Sequence, residues 1–265
     1  MSGLASRLLV AALLLPPVLA AVWLGGWWLA SAALAGGLLA LHELYAMTRS
    51  LRPLVLAGFA GLVLAIVGAQ LGGPVWLLGG VLATILLAFV LFGLSHARPP
   101  SAVAAMATTV LGVAWIAGGL GCLLLVRALP EHGRLAIFTV LIAVFADDTA
   151  AYLVGRAIGR HRMAPAISPG KSWEGFVGGT TAAILVAFFA LYEEEFLTIP
   201  EALALGAAIA VAATIGDLFE SAVKRDTGVK DSGSLLGGHG GVLDRIDSLL
   251  FAGPAAYFTI LAFTT

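Results

Sequence analysis

The sequence has little charge and almost no cysteine, and both shortages narrow the class of protein. Asp, Glu, Lys and Arg make up 11% of the 265 residues, whereas hydrophobic residues make up 60%. A soluble globular domain carries about 25% charged residues, so that class is excluded. The one cysteine, Cys122, cannot form an intrachain disulfide and is interpreted as a packed core residue. With no basic tract or aromatic platform, nucleic acid is not expected as a partner.

Long apolar runs, separated by charged residues, glycine or proline, fill most of the chain and predict transmembrane helices. The predicted fold class is all-α: a polytopic helical membrane protein with about nine transmembrane helices, forming one membrane domain over residues 1–265. The first run could pass for a signal peptide, but an uncleaved helix is favoured because further spans follow at once. The expected spans are about 5–24, 27–47, 53–70, 75–95, 102–126, 135–156, 175–192, 201–221 and 248–264.

Lysine and arginine are distributed unequally between the loops. A cytoplasmic N-terminus places twelve of these residues inside and only Arg127 and Arg134 outside. This bias predicts a cytoplasmic N-terminus and an external C-terminus for a protein of the cell (inner) membrane. The polar loops and the active site then face the cytoplasm, where nucleotides are found.

A polar stretch at residues 217–248 interrupts the apolar pattern. Asp217 lies about two helical turns inside an apolar run, and a carboxylate at such depth is costly and usually functional. Asp244 and Asp247 open the last helix, where simple capping is the alternative interpretation. We interpret the three aspartates as metal ligands. An oxygen-rich, cysteine-free set suits Mg²⁺ rather than zinc.

The same stretch resembles the signature of the phosphatidate cytidylyltransferases, the CDP-diacylglycerol synthases. Residues 221–225 read SAVKR, residues 230–231 read KD and residues 239–247 read HGGVLDRID. The resemblance implies a magnesium-dependent transfer of the cytidylyl group from CTP to phosphatidate. It also implies a homodimer, with residues 1–130 serving mainly as scaffold and dimerisation helices and residues 135–265 supplying the catalytic helices and loops.

A second polar segment resembles the other recurrent block of that family. Residues 147–152 read DDTAAY, with Ala150 where the family usually has glycine, and residues 168–175 read SPGKSWEG. Asp148, Tyr152 and Arg156 recur every fourth residue and share a helix face, so Asp148 is chosen for the site. Asp147 is then protonated, paired or turned to a neighbouring helix.

The complete predicted site combines both segments, with Mg²⁺ and a second cation as cofactors and CTP, phosphatidate and membrane lipid as partners. The expected catalytic residues are Asp217, Lys224, Arg225, Lys230, Asp231, His239, Asp244, Arg245 and Asp247. The expected substrate-binding residues are Asp148, Tyr152, Arg156, Ser168, Lys171, Ser172, Trp173, Glu174, Ser221, Gly240 and Gly241. Asp217, Asp244 and Asp247 are the expected metal ligands.

Three other functions are compatible with parts of the pattern. A polyprenol or phytol kinase also uses CTP on a lipid. A cation-coupled transporter also carries membrane carboxylates, but it usually shows inverted repeats and broken helices in both halves. A CDP-alcohol phosphotransferase is expected to have an aspartate-rich pattern of different spacing.

Overall fold

The computed structural model describes residues 3–94, 101–233 and 240–264, and helices dominate it. The prediction of an all-α polytopic membrane protein is confirmed. Among the described residues, seven helices (α2 to α8) are long and apolar enough to cross a membrane. The helices are α1 (Gly3–Leu24), α2 (Gly26–Met47), α3 (Val55–Leu94), α4 (Ala102–Arg127), α5 (Gly133–Ile158), α6 (Trp173–Leu191), α7 (Ile199–Asp226) and α8 (Leu243–Thr264).

Helix α3 is 40 residues long and is broken at Gly73, whose φ of 69° and ψ of −152° are not helical. Glycine tolerates this backbone conformation, and Pro74 follows it in the position of a new helix start. A Cβ at Gly80 would overlap the backbone of Ala65, so the two segments fold back on each other. They correspond to the predicted spans at 53–70 and 75–95.

The chain divides into two compact units. Unit 1 comprises Met1–Ala128 and Thr227–Ile246, and unit 2 comprises Leu129–Asp226 and Asp247–Thr265. The polar stretch recognised in the sequence is therefore shared between the units.

Helices α2, α3 and α4 form the core of unit 1. Leu41, Leu62 and Ile116 are completely buried there. The Tyr45 hydroxyl donates to the Thr109 carbonyl oxygen at 2.9 Å, joining α2 to α4. At the other end of α4, the Arg127 guanidinium donates to the last carbonyl groups of α1, at 2.9 Å and 2.8 Å. A cation is favourable at that position because a helix C-terminus carries partial negative charge.

Helices α5, α6 and α7 pack closely in unit 2 because small residues occupy their contacts. A Cβ at Gly206 of α7 would lie 2.7 Å from the Ile184 Cα of α6, and one at Gly175 would lie 2.7 Å from the Ala151 carbonyl oxygen of α5. Gly216 of α7 likewise touches the Asp247 carbonyl oxygen of α8, where an added Cβ would lie at 2.6 Å. These close approaches bring four helices carrying acidic residues into one unit.

The segment after α5 is a β-hairpin, whereas the sequence pattern predicts no strand there. Strand β1 (Arg162–Ala164) pairs antiparallel with β2 (Ser168–Ser172). The strands are too short, and too interrupted by Pro169 and Gly170, to show a period-two pattern. Ser172 ends β2 and caps α6, since its Oγ accepts the Gly175 N–H at 3.1 Å.

Candidate active site

An ion pair joins the hairpin of unit 2 to helix α7. The Lys171 Nζ lies 2.8 Å from Asp217 Oδ2, and the two side chains are 24% and 33% exposed. The Ser221 hydroxyl donates to the other oxygen, Asp217 Oδ1, at 3.2 Å. Lys171 also donates to the Thr214 carbonyl oxygen at 3.4 Å. The structure therefore places three predicted site residues, Lys171, Asp217 and Ser221, in one polar contact.

Carboxylates from two further helices of unit 2 lie near the Lys171–Asp217 pair. Asp148 of α5 interacts electrostatically with Asp217 and Lys171. Asp247 of α8 interacts with both Asp217 and Asp148. Residues separated by as much as 99 positions in the chain thus lie near one another in the structure. Carboxylates this close repel one another, and a cation bound among them would offset the repulsion.

Glu220 is a member of this cluster that the predicted site does not include. Its side chain is 1% exposed, and its Oε2 lies 2.6 Å from Lys224 Nζ. Its carboxyl group also lies next to the side chain of Asp247, which is 9% exposed. The signal was present in the sequence, because Asp217, Glu220 and Lys224 are spaced for one helix face.

Asp147 and Asp148 have different surroundings. Asp148 is exposed, whereas Asp147 is 2% exposed. Asp147 Oδ1 turns toward α6, where a Cβ at Gly179 would lie 2.5 Å away. This oxygen has no hydrogen-bond partner among the described residues. Of the three states considered for Asp147, the structure shows the one turned to a neighbouring helix.

The donor chemistry of the cluster fits Mg²⁺. Five carboxyl groups, those of Asp147, Asp148, Asp217, Glu220 and Asp247, lie in this part of unit 2 together with the ammonium groups of Lys171 and Lys224, which leaves an excess of negative charge. No group of three or more His, Cys, Asp or Glu side chains in the described ranges is arranged to hold a metal ion. Mg²⁺ usually takes one or two carboxylates and completes its shell with water and substrate phosphates.

The hairpin and its neighbours carry most of the remaining predicted residues of unit 2. Arg156 Nη1 donates to the Tyr152 hydroxyl at 2.9 Å, so these two residues do share a helix face. Glu174 contacts His161 Nδ1 at 2.6 Å and accepts the Arg160 N–H at 3.1 Å. Arg225 Nε donates to the Ile167 carbonyl oxygen at 3.2 Å, which ties the end of α7 to the hairpin.

Several of these residues have evident structural contacts. Ser172 is 3% exposed and caps α6, and Glu174 holds the backbone that enters β1. Ser168 is half-buried in β2, and Trp173 is 53% exposed with its ring edge-on to Phe176. Their predicted contacts with substrate stay predictions.

The glycine-rich end of the signature belongs to unit 1. Asp244 Oδ2 accepts the Gly241 N–H at 2.8 Å and the Ser232 N–H at 3.0 Å. Glu43 of α2 accepts the next two N–H groups, those of Val242 at 3.0 Å and Leu243 at 2.9 Å. The backbone N–H of Gly241, a residue predicted to bind substrate, thus donates to a carboxylate of the chain, as do the next two N–H groups.

Most other residues of the signature are exposed, and one lies outside the described residues. Gly240 has a φ of +81°, a conformation that favours glycine. Lys230, Asp231 and Arg245 are exposed. His239 lies outside the described residues. The predicted metal ligands Asp217 and Asp247 belong to unit 2 and Asp244 to unit 1, and their role as ligands stays a prediction.

Apolar helices around a carboxylate- and lysine-containing polar cluster define a polytopic membrane protein with a site suited to an anionic ligand and a divalent cation. Residues 5–263 match the profile of the Cytidylyltransferase family. The chain belongs to this family.

Similar proteins include three with the same name. The chain is 46% identical over 130 residues to a phosphatidate cytidylyltransferase of Haemophilus influenzae, covering 47% of this chain and 45% of that protein. It is 44% identical over 135 residues to one of Mycobacterium bovis, covering 49% and 43%. It is 40% identical over 140 residues to one of Bacillus subtilis, covering 52% of each. The chain thus spans about half the length of the curated relatives it matches.

Proposed function

We propose that the chain transfers the cytidylyl group of CTP to phosphatidate, giving CDP-diacylglycerol and pyrophosphate, and that it requires Mg²⁺. Membership of the Cytidylyltransferase family and the printed names of the relatives support this function. The observation that carries it is the clustering of Asp148, Asp217 and Asp247 with Lys171 in one unit. Such a cluster provides both cation ligands and a phosphate-binding ammonium group.

In this reaction the α-phosphorus of CTP exchanges its bond to the pyrophosphate oxygen for a bond to a phosphatidate oxygen. A phosphatidate phosphate oxygen attacks the α-phosphorus of CTP, and the bond to the bridging oxygen of the β-phosphate breaks as pyrophosphate leaves. The nucleophile is already anionic at neutral pH, so no strong general base is needed. The main obstacle is repulsion between two polyanions, which the protein overcomes by positioning and by neutralising charge.

The predicted site residues contribute to this task in two ways, by holding the cation and by supplying positive charge. Asp217 and Asp247, joined by Asp148, would hold Mg²⁺, and the bound ion would neutralise charge on the phosphates and leaving group. Asp244 is retained as the third predicted ligand. Lys171 is positioned to exchange its contact with Asp217 for a CTP phosphate. Lys224, Arg225, Lys230 and Arg245 supply further positive charge along the signature.

We also propose a topology of nine membrane crossings with a cytoplasmic N-terminus and an external C-terminus. Seven helices of the described residues, α2 to α8, are long and apolar enough to cross a membrane, and α3 crosses twice because it is broken into two segments. Helix α1 supplies the ninth crossing. The unequal distribution of lysine and arginine supports the orientation. In this arrangement the protein lies in the inner membrane, its site faces the cytoplasm, residues 1–130 are scaffold, and two copies form the active homodimer.

A labelling experiment tests the reaction and separates it from kinase activity. Purified protein is incubated with phosphatidate and CTP labelled at either the α- or the γ-phosphorus, with and without Mg²⁺. Cytidylyl transfer places the α-label in lipid and the γ-label in pyrophosphate, and requires Mg²⁺. A γ-label recovered in lipid would indicate phosphoryl transfer, and no transfer of either label would contradict the proposal.

A further inference from the structure

Glu43 is a buried carboxylate that the predicted site does not use. It lies one turn before the end of α2, and the residue is 3% exposed. A carboxylate near a helix C-terminus is disfavoured by the helix dipole, and burial adds a desolvation cost. Its contacts must offset both effects.

Those contacts all come from the signature stretch of unit 1, nearly the whole chain away. Glu43 Oε1 accepts the Val242 N–H at 3.0 Å. Glu43 Oε2 accepts the Leu243 N–H at 2.9 Å and the Ser232 hydroxyl at 3.1 Å. Because Leu243 is the first residue of α8, the carboxylate meets the positive end of that helix, where an anion is favoured.

Two glycines leave room for this approach. A Cβ at Gly233 would lie 2.6 Å from Glu43 Oε1, and one at Gly241 would overlap Glu43 Oε2 and the Ser232 hydroxyl. Gly241 is part of the sequence signature. The contact with Glu43 gives a physical reason for glycine there that does not involve phosphate.

Asp244 completes the same hydrogen-bonded cluster. It accepts the N–H groups of Ser232 and Gly241, and its own N–H donates to the Ser232 Oγ at 3.3 Å. Glu43 and Asp244 therefore hold Ser232 against residues 241–244 from both sides. The direction of the Asp244 side chain depends on where α8 begins, and Glu43 binds the two N–H groups that define that start.

We infer that Glu43 is a positioning residue for cytidylyl transfer, which fixes the start of α8 and so the placement of Asp244. The inference rests on the proposed function for its catalytic consequence. It assigns no bond-making step to Glu43, whose carboxylate acts only through the residues it holds.

Hydrogen exchange measures the contact without reference to activity. In Glu43→Gln, one carboxylate oxygen is replaced by an NH₂ group that cannot accept. Loss of a charge-assisted hydrogen bond predicts about tenfold to hundredfold faster exchange at Val242 and Leu243. The buried amides of Val113 and Ile116 in α4 are expected to keep their rates. Unchanged exchange at 242 and 243 would overturn the inference, and so would faster exchange throughout the protein, which indicates general destabilisation.

Kinetics on the same samples test the catalytic consequence. Glu43→Gln is expected to lower kcat about tenfold or more with a smaller change in KM for CTP, because positioning acts on the reacting geometry. Glu43→Asp, which keeps the charge, is expected to recover part of kcat, and Glu194→Gln on the exposed loop after α6 is the unaffected control. Faster local exchange with unchanged kcat would overturn the inference.

A second variant covers the case in which Glu43→Gln does not fold. Ser232→Ala removes one donor to Glu43 and is expected to speed exchange at Asp244 while lowering kcat by less than Glu43→Gln lowers it. Normal exchange and normal kcat in Ser232→Ala, together with a Glu43→Gln that does not fold, would overturn the inference. Wild-type protein that forms no CDP-diacylglycerol would contradict the proposed function, whereas the exchange rates would still decide whether Glu43 holds α8.

Discussion

The Lys171 ammonium group lies 2.8 Å from the Asp217 carboxylate, joining a five-residue strand to the middle of a membrane helix. Both side chains are partly exposed, so each is accessible to a ligand while paired with the other. Under the proposed function, a CTP phosphate would compete with Asp217 for the lysine, and Mg²⁺ would compete with the lysine for Asp217. The pair would then hold these two side chains in place before the charged substrates bind.

Lys171→Met tests whether this lysine binds nucleotide. Removing a charge-assisted contact to phosphate is expected to lower kcat/KM for CTP by about tenfold to hundredfold. Lys171→Arg, which keeps the charge but changes its geometry, is expected to be intermediate. Steady-state kinetics at saturating phosphatidate provide the measurement. Full activity of Lys171→Met would show that the ammonium group serves only to pair with Asp217.

Glu220→Gln tests the buried part of the cluster through stability. The change removes the buried carboxylate that lies 2.6 Å from the Lys224 ammonium group, and loss of one member of a buried ion pair is expected to cost about 3–5 kcal/mol in the free energy of unfolding. Thermal unfolding in detergent measures the loss. The double variant Glu220→Leu with Lys224→Met removes both charges and is expected to regain most of the stability. A single variant as stable as wild type would show that the ion pair contributes nothing net.

Gly179→Ala tests the packing of Asp147 against α6. Its new Cβ would lie 2.5 Å from Asp147 Oδ1 and 3.0 Å from the Ala151 Cβ, and such overpacking is expected to destabilise by about 1–3 kcal/mol. Gly118→Ala in α4 is the matched control, because no atom of the described residues, apart from the adjoining backbone of α4 itself, lies within 4 Å of the added Cβ. The control is expected to be neutral or up to about 1 kcal/mol more stable, since alanine favours helix. Equal melting temperatures for both variants would contradict the described helix contact.

Much of this fold could be predicted from the sequence, because a long apolar run predicts a membrane helix without any knowledge of its partners. Each expected span overlaps a helix of the structure, with ends that differ by at most a few residues, and the break predicted between residues 70 and 75 occurs at Gly73. The helices also continue past the apolar runs: α8 begins at Leu243, not near residue 248. The start of α8 is stabilised by hydrogen bonds from its N–H groups to Glu43, which is distant in the chain, and hydropathy does not detect such contacts.

The parts that sequence did not reveal depend on long-range partners. The partners of Glu43 lie 189 to 200 positions away in the chain, and no local spacing identifies them. The hairpin at 162–172 depends on pairing between very short strands. Glu220 was visible on the face of Asp217, yet only the packing of α7 against α8 shows that it meets Asp247.

Asp217→Asn is the most direct test of the claim that this carboxylate cluster and Mg²⁺ carry out cytidylyl transfer. The amide has the same shape but lacks the charge that holds a divalent cation and pairs with Lys171. Formation of labelled CDP-diacylglycerol is measured across a Mg²⁺ titration, with the melting temperature as a check on folding. The account predicts a loss of kcat of at least about 10²–10³-fold at every Mg²⁺ concentration in a folded protein. Wild-type turnover at ordinary Mg²⁺ would contradict it.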